Sequence, residues 1–289
     1  MAGDKYSAIW VSYSSISDFL KCPRAYYLKN IYRSPDTGHK IKLISPPLAL
    51  GQIIHEVIDG ISLLPTEERF NESLVIRLNR IWPKISGKLG GFDNNEVEQQ
   101  YKKRGEEMLL RIMNNPGPLK KLAIKIKMDL PYFWLSEKDR LILCGKIDWL
   151  EYLRETDTVH IIDFKTSKSD EDPKSLQLSI YYLLASNCQK RKVVKSSYWY
   201  IERNNEPTEQ KLPSAEEAEN KLLDIARQIK LARQLNVFKC PQKTGCSHCR
   251  AYESIIRGDT VFVGTNNYNE DIYIMNSSGM PSEDQSIIL

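Results

Sequence analysis

Two apolar, strand-like runs bordered by aspartates limit the fold more than anything else in this chain of 289 residues. Asp148 stands in Gly145-Lys146-Ile147-Asp148 and Asp163 in His160-Ile161-Ile162-Asp163-Phe164-Lys165, with a short polar turn, Arg154-Glu155-Thr156-Asp157, between the runs. A hairpin closed around that turn sets Leu153 against Thr158, and the same register sets Asp148 opposite Asp163. Directly opposed residues on an antiparallel pair share a face, with Cβ atoms about 5 Å apart. Strand alternation returns Lys165 to that face and turns Phe164 away from it. Opposed carboxylates repel unless a cation lies between them, so the pattern predicts a divalent-metal site with a lysine beside it. A surface hairpin with solvated Asp and Lys is the plain alternative. A lone Asp-x-Lys would favour it, and the opposed Asp148 argues against it.

The bulk of the sequence restricts the setting. A hydrophobic content of 41% and a charged content of 27% are ordinary for a soluble globular protein. No apolar run reaches the length of a membrane span, and Met1-Ala2-Gly3-Asp4-Lys5 lacks a signal peptide's apolar stretch, so a cytoplasmic location without a membrane partner is expected. Net charge is +4, but residues 1–257 hold 41 bases against 32 acids. That balance suits a phosphate-rich partner, although a modest excess is also what a solvated surface gives. Basic runs such as Lys190-Arg191-Lys192 read as solvated loops.

Periodicity divides the chain into four segments. Residues 1–120 read as a helical region: a capped start at Ser14-Ser15-Ile16-Ser17-Asp18, and a helix from Ala49 to Leu63 with Leu50, Ile53, Ile54, Val57 and Ile61 in one stripe. From Lys121 the period becomes two, with Leu122, Ile124, Ile126 and Met128 alternating as in a half-buried strand. Strands near 139–152 and 158–165, a helix after Asp172-Pro173, a strand from Lys195 and a helix over 214–235 complete a core at 121–235. Residues 236–257 carry three of the six cysteines. Residues 258–289, rich in Asn and Ser, read as a disordered tail.

Three smaller constellations remain. His55 lies beside the apolar stripe of its helix, where a histidine is most often structural. Gln177 and Tyr181, four apart, project from one helical face; core packing with an exposed amide is the ordinary explanation. Cys22, Cys240, Cys246 and Cys249 could hold a metal, or be free thiols, whereas Cys144 and Cys188 fall within core elements.

The order of helix, antiparallel strands bearing Asp and Asp-x-Lys, then helix and strand resembles the PD-(D/E)xK nuclease superfamily over residues 12–257. Gly145-x-x-Asp148, Asp163-Phe164-Lys165, Gly51-x-x-x-His55 and Gln177-x-x-x-Tyr181 resemble its RecB-like branch, which includes the CRISPR adaptation nucleases. The resemblance implies an α/β (α+β) restriction-endonuclease-like core, a central mixed sheet flanked by helices. It implies that Asp148, Asp163, His55 and the Phe164 carbonyl bind Mg²⁺ or Mn²⁺, that Lys165 orients or activates the attacking water, and that Gln177 and Tyr181 contact DNA and support the site. Hard carboxylate oxygens suit such ions independently. Relatives carry a Glu on the strand preceding Gly-x-x-Asp; here stand Lys125 and Lys127, with Asp129 and Glu56 as possible substitutes. In several RecB-like nucleases one early and three late cysteines hold a 4Fe–4S cluster. Cys22-Pro23-Arg24-Ala25-Tyr26-Tyr27-Leu28 matches the early one, but Cys240-x5-Cys246-x2-Cys249 inverts the usual late spacing. Zinc held by the late three with His248 or Cys22 is the alternative.

The expected activity is therefore metal-dependent exonuclease action on DNA ends or single strands, in recombination, repair or CRISPR spacer capture. No Gly-x-x-x-x-Gly-Lys-(Ser/Thr) is present, so a helicase motor would belong to a partner, as would a CRISPR adaptation protein. The rival is a non-catalytic DNA-binding subunit, towards which Lys125 and Lys127 lean.

Overall fold

The computed structural model describes residues 4–276. Its elements are β1 (Ile9–Val11), α1 (Tyr13–Lys21), α2 (Pro23–Tyr26), β2 (Lys40–Leu43), α3 (Pro46–Ser62), α4 (Leu74–Ile81), α5 (Asn95–Asn114), β3 (Tyr132–Ser136), β4 (Leu141–Cys144), β5 (Trp149–Leu153) and β6 (Thr158–Lys165). There follow α6 (Gln177–Cys188), β7 (Lys192–Tyr200), β8 (Thr208–Gln210), α7 (Ala215–Leu235), α8 (Ser247–Ile256), β9 (Thr260–Thr265) and β10 (Glu270–Met275). This is the expected mixed α/β architecture. The described residues form two compact units: one from residues 4–17, 50–83 and 101–237, the other from 18–49, 84–100 and 238–276. The expected consecutive segments are not these units, since 1–120 is shared between them. Three boundaries fall inside α1, α3 and α5, where no linker composition marks them.

The first unit is organised on a four-stranded mixed sheet, β5-β6-β7-β8. β5 and β6 are antiparallel, β6 and β7 parallel, β7 and β8 antiparallel. The β5–β6 turn closes with Asp157 in the left-handed region (φ 50°), a conformation that Asp tolerates through local hydrogen bonding. α6 is the crossover between β6 and β7. β6 is buried on both faces, as a central strand should be: Val159, Ile161, Ile162 and Phe164 are each 1% exposed or less. A smaller sheet, β1-β4-β3, leads into β5 through Gly145–Asp148. A Cβ on Gly145 would meet Leu184 of α6 at 3.1 Å, so a glycine there lets the helix come close.

The alternation from Lys121 does not make a regular strand. Only residues 122–124 pair, along the outer edge of β5: Ile124 N–H donates to the Leu150 carbonyl (2.8 Å) and Tyr152 N–H to that of Leu122 (2.7 Å). Beyond Ile124, the next residues of β5's side, Asp148 and before, have left the ladder, so nothing extends the pairing.

Two polar side chains are buried within β6, and they are satisfied very differently. His160 shares hydrogen bonds with Glu151 Oε2 through Nδ1 and with Ser197 Oγ through Nε2, both 2.8 Å. Glu151 Oε1 in turn lies 2.9 Å from Lys121 Nζ. The network ties β5, β6 and β7 across one face, and Ser197 is 1% exposed, so it serves packing. Asp163 is the other, on the opposite face.

The second unit carries the sheet β2-β10-β9, with β2 parallel and β9 antiparallel to β10. β9 and β10 fall where a disordered tail was expected. Val261, Ile272, Tyr273 and Ile274 supply a strand pattern that the surrounding Asn and Gly obscure. Buried Asp271 is held by Thr37 (2.5 Å), His39 (2.8 Å) and Thr265 (2.9 Å). The rest of the expected tail, 277–289, lies outside the described residues. Among the described residues no helix is long and apolar enough to cross a membrane.

Candidate active site and metal centres

β5 and β6 pair from Leu153↔Thr158 to Trp149↔Ile162 without a register shift. One more step sets Asp148 opposite Asp163, the register expected from the turn. Asp148 itself lies just outside the ladder. Its Oδ2 accepts the Phe164 N–H at 3.0 Å and lies 3.4 Å from His55 Nδ1. Since the N–H and C=O of one strand residue face the same edge, the Phe164 carbonyl is aimed towards Asp148 as well. His55 comes from α3. A Cβ on Gly51, one turn earlier, would meet Thr166 Oγ1 at 3.1 Å, so Gly51 lets this helix run close past the end of β6.

Asp163 is 1% exposed. Its Oδ1 accepts from Gln177 Nε2 at 2.7 Å. Its Oδ2 has no hydrogen-bond donor; Lys165 Nζ is 3.0 Å away, outside hydrogen-bonding geometry. Gln177 bridges the group: Nε2 also donates to Tyr181 Oη (3.2 Å), and Oε1 accepts from Lys165 Nζ. Helical spacing on α6 places Gln177 and Tyr181 one turn apart, which permits this. The site residues expected from the sequence in this unit, His55, Asp148, Asp163, Phe164, Lys165, Gln177 and Tyr181, thus lie in one connected network.

The electrostatics follow from that packing. Burial, then the charge of Asp148, push the Asp163 carboxyl up to about 8, against the pull of Lys165. Burial disfavours a charged His55, but Asp148 outweighs it and raises the ring's pKa. Burial likewise opposes charge on Lys165, yet Asp163 and Glu171 outweigh it, so the ammonium is held charged beyond its ordinary range. The Tyr181 hydroxyl is raised well above its usual value by burial and then by both aspartates. A buried, incompletely paired carboxylate facing a second one is costly unless a cation compensates. The donor set of two carboxylates, an imidazole and a carbonyl suits Mg²⁺ or Mn²⁺.

Other members of the site were not legible from the sequence. Glu171 Oε2 lies 3.0 Å from Lys165 Nζ, and Tyr13 Oη donates to Glu171 Oε1 at 2.8 Å. Ser175 Oγ donates to Tyr13 Oη at 3.2 Å. Glu171 is the middle of three consecutive acids in a loop, where no periodicity selects one of them. The stand-ins for a missing acid, Asp129 and Glu56, are both exposed, and Lys125, at the place of that acid, is paired with Asp59 (2.8 Å).

In the second unit, Cys22, Cys240, Cys246 and Cys249 come together, their sulfurs all within 4.8 Å of one another. Cys22 precedes α2, and Cys246 caps α8. Ala25 and Leu28 are buried around them. Burial would raise the Cys246 thiol, but the Cys249 and His248 N–H groups and the Cys22 and Cys240 thiols hold it down at about 7. His248 is exposed and outside the group. The Cys246–Cys249 separation is 3.8 Å. Zinc–sulfur bonds of about 2.3 Å give tetrahedral edges of about 3.8 Å, which this one pair matches, while the four sulfurs together lie within 4.8 Å. Cys144 and Cys188 are packed apart from this group, each bonded to a backbone carbonyl.

A comparison with curated protein sequences gives no match. The family model for the PD-(D/E)XK nuclease superfamily matches residues 10–254, which contain both clusters. By that match over most of its length, and with the mixed α/β core that carries the aspartates, the chain belongs to the PD-(D/E)XK nuclease superfamily, whose members are nucleases that use divalent metal ions on DNA.

Proposed function

We propose that this protein is a RecB-like, Mg²⁺- or Mn²⁺-dependent DNA exonuclease acting on ends or single strands. The observation that carries the reading is the buried Asp163 facing a second carboxylate, Asp148, with one oxygen that no donor reaches in hydrogen-bonding geometry. Asp148, Asp163, His55 and the Phe164 carbonyl would hold the cation, which when bound supplies an activated water and neutralises charge developing on the phosphodiester. Lys165 stays protonated between Asp163 and Glu171, so it orients the nucleophile and scissile phosphate as a cation and does not serve as the base. Gln177 fixes Asp163, Lys165 and Tyr181 relative to one another. Exonuclease action, and a place in recombination, repair or spacer capture beside a helicase or CRISPR adaptation partner, rest on the resemblance of Gln177-x-x-x-Tyr181 and Gly51-x-x-x-His55.

The four-cysteine site is read as a metal staple tying Cys22 to α8. Its spacing favours a single tetrahedral ion such as Zn²⁺; the 4Fe–4S cluster expected from the resemblance requires the thiols to spread around a larger core. Metal analysis of anaerobically purified protein separates the two, with a cluster revealed by absorbance near 400 nm. For the enzyme reading, end-labelled single- and double-stranded DNA is incubated with Mn²⁺ beside an Asp163→Ala control. Shortening from the ends by the unaltered protein alone is expected. Equal turnover by both, or none by either, rejects it in favour of a DNA-binding subunit.

A further inference from the structure

Next to the metal-binding carboxylates lies a cleft of about 380 Å³. Its lining includes Asp148 itself, together with Lys125, Lys127 and Lys146. These lysines come from two segments: Lys125 and Lys127 follow the short pairing of 122–124 on β5, and Lys146 is two residues ahead of Asp148. Asp59 gathers two of them. Its Oδ1 accepts from Lys125 Nζ at 2.8 Å and its Oδ2 from Lys146 Nζ at 2.7 Å. Asp59 is on α3 four residues after His55, so both point from one helical face, about 6 Å apart along the axis. The lysine pair therefore sits one to two nucleotides from the cation site, at 3.4 Å or more per nucleotide of strand.

We propose that this cleft is the track for a single DNA strand, whose phosphates are taken by Lys125, Lys127 and Lys146 as it runs to Asp148. The idea rests on the nuclease reading for its direction, but not for the binding itself. Three features support it. All three ammonium groups are on exposed residues, with Lys125 and Lys146 about half exposed, so phosphate can replace Asp59 without a buried rearrangement. Leu63, Ile126, Met128 and Ile147 give the lining apolar surface that an unpaired base can cover by hydrophobic contact, without stacking. At about 380 Å³ the cleft is at the low end of ligand-sized clefts, the size for a single nucleotide at a time. Asp59 holds Lys125 and Lys146 in place while no strand is bound. The lysines that stand where relatives carry an acid are on this account substrate-binding groups.

The test is fluorescence anisotropy of a labelled oligo-dT with the full chain in EDTA, over a salt series, with cleavage followed separately in Mn²⁺. For Lys125→Ala/Lys127→Ala/Lys146→Ala, affinity should fall on the order of 10- to 100-fold, and the salt slope should shrink by about 2, at roughly 0.7 per phosphate contact. The triple arginine variant should restore both. Lys190→Ala/Lys192→Ala, which removes charge elsewhere, should change affinity less than about twofold, and Asp59→Asn should tighten binding by two- to fivefold. An alanine triple that binds with unchanged affinity and slope while the parent still cleaves overturns the track and leaves the nuclease reading intact. Loss of binding by the triple in a protein that never cleaves upholds the track and rejects the nuclease. Tighter binding of blunt duplex than of oligo-dT overturns the single-strand assignment.

Discussion

Asp163→Asn should stabilise the metal-free protein, and the gain should depend on pH. An ordinary Asp titrates near 3.9, whereas Asp163 is pushed up to about 8 by burial and by Asp148. The folded state therefore keeps a proton that the unfolded chain releases, and stability falls as pH rises through the window from about 4 to 8. Each unit is worth about 1.4 kcal/mol, so at pH 7 the three units between set a ceiling of roughly 4 kcal/mol. Asn keeps the Gln177 contact through Oδ1 but turns an amide towards Lys165, which removes a favourable contact and takes back about 1–3 kcal/mol. The net gain is then about 1–3 kcal/mol at pH 7, whereas at pH 5, where the ceiling is about 1.5 kcal/mol, the variant should be between about equal to the parent and about 1.5 kcal/mol less stable. Urea unfolding in EDTA at pH 5, 6, 7 and 8 measures it, with Asp163→Asn becoming steadily more stable than the parent. Adding Mn²⁺ at a hundredfold over its Kd should stabilise the parent by about 2.7 kcal/mol and leave the variant unmoved. A parent–variant difference that is flat from pH 5 to pH 8 would show that Asp163 is not charge-frustrated, and the cation argument would lose its physical basis.

Gln177→Leu should lower kcat in a Mn²⁺ nuclease assay by about 10- to 100-fold with little change in KM, because it unties Asp163, Lys165 and Tyr181 together; a pure KM effect would assign Gln177 to substrate binding instead. Glu151→Leu strands His160 and Lys121, and chemical denaturation should read a loss of about 2–4 kcal/mol with unaltered Mn²⁺ affinity. Cys22→Ser should release about one equivalent of bound metal into a chromogenic chelator assay and destabilise the second unit by at least about 2 kcal/mol, while the Mn²⁺ requirement of cleavage persists.

The sequence was most informative where two local signals agreed. The turn at Arg154–Asp157 and the apolar alternation on either side gave one register, and that register set Asp148 against Asp163. His55 and Gln177 could not be tied to the pair by periodicity, since each looked like an ordinary polar residue beside a packed helix face. Only the resemblance attached them, and their contacts depend on how α3 and α6 approach the end of β6. Glu171 and Ser175 gave no signal, because a loop fixes no face, and Tyr13 opens α1, where nothing in the sequence ties it to Glu171. The stretch after Lys121 misled for a related reason. Alternation records which residues want burial, but a strand also needs a neighbour with unpaired backbone, and β5 ends at Trp149. β9 and β10 failed in the opposite direction, because Asn and Gly outweighed the few apolar residues in the composition.

The contrast within β6 explains why such a site is legible at all. A central strand tolerates a polar side chain only when its neighbours complete it, and His160 meets that condition through Glu151 and Ser197. Asp163, three residues further along the same strand, differs in facing a second carboxylate: its Oδ2, like Glu151 Oε1, has a lysine about 3 Å away without a hydrogen bond, but Asp148 stands opposite it. A chain under no functional demand could replace Asp163 with an apolar residue and gain stability. Lys165 and His55 offset part of the charge of the two facing carboxylates, and a cation from outside the chain, as proposed, would offset the rest. The strained position is thus the one where the fold's requirements and the reaction's requirements diverge, and it is the position from which the chemistry can be read.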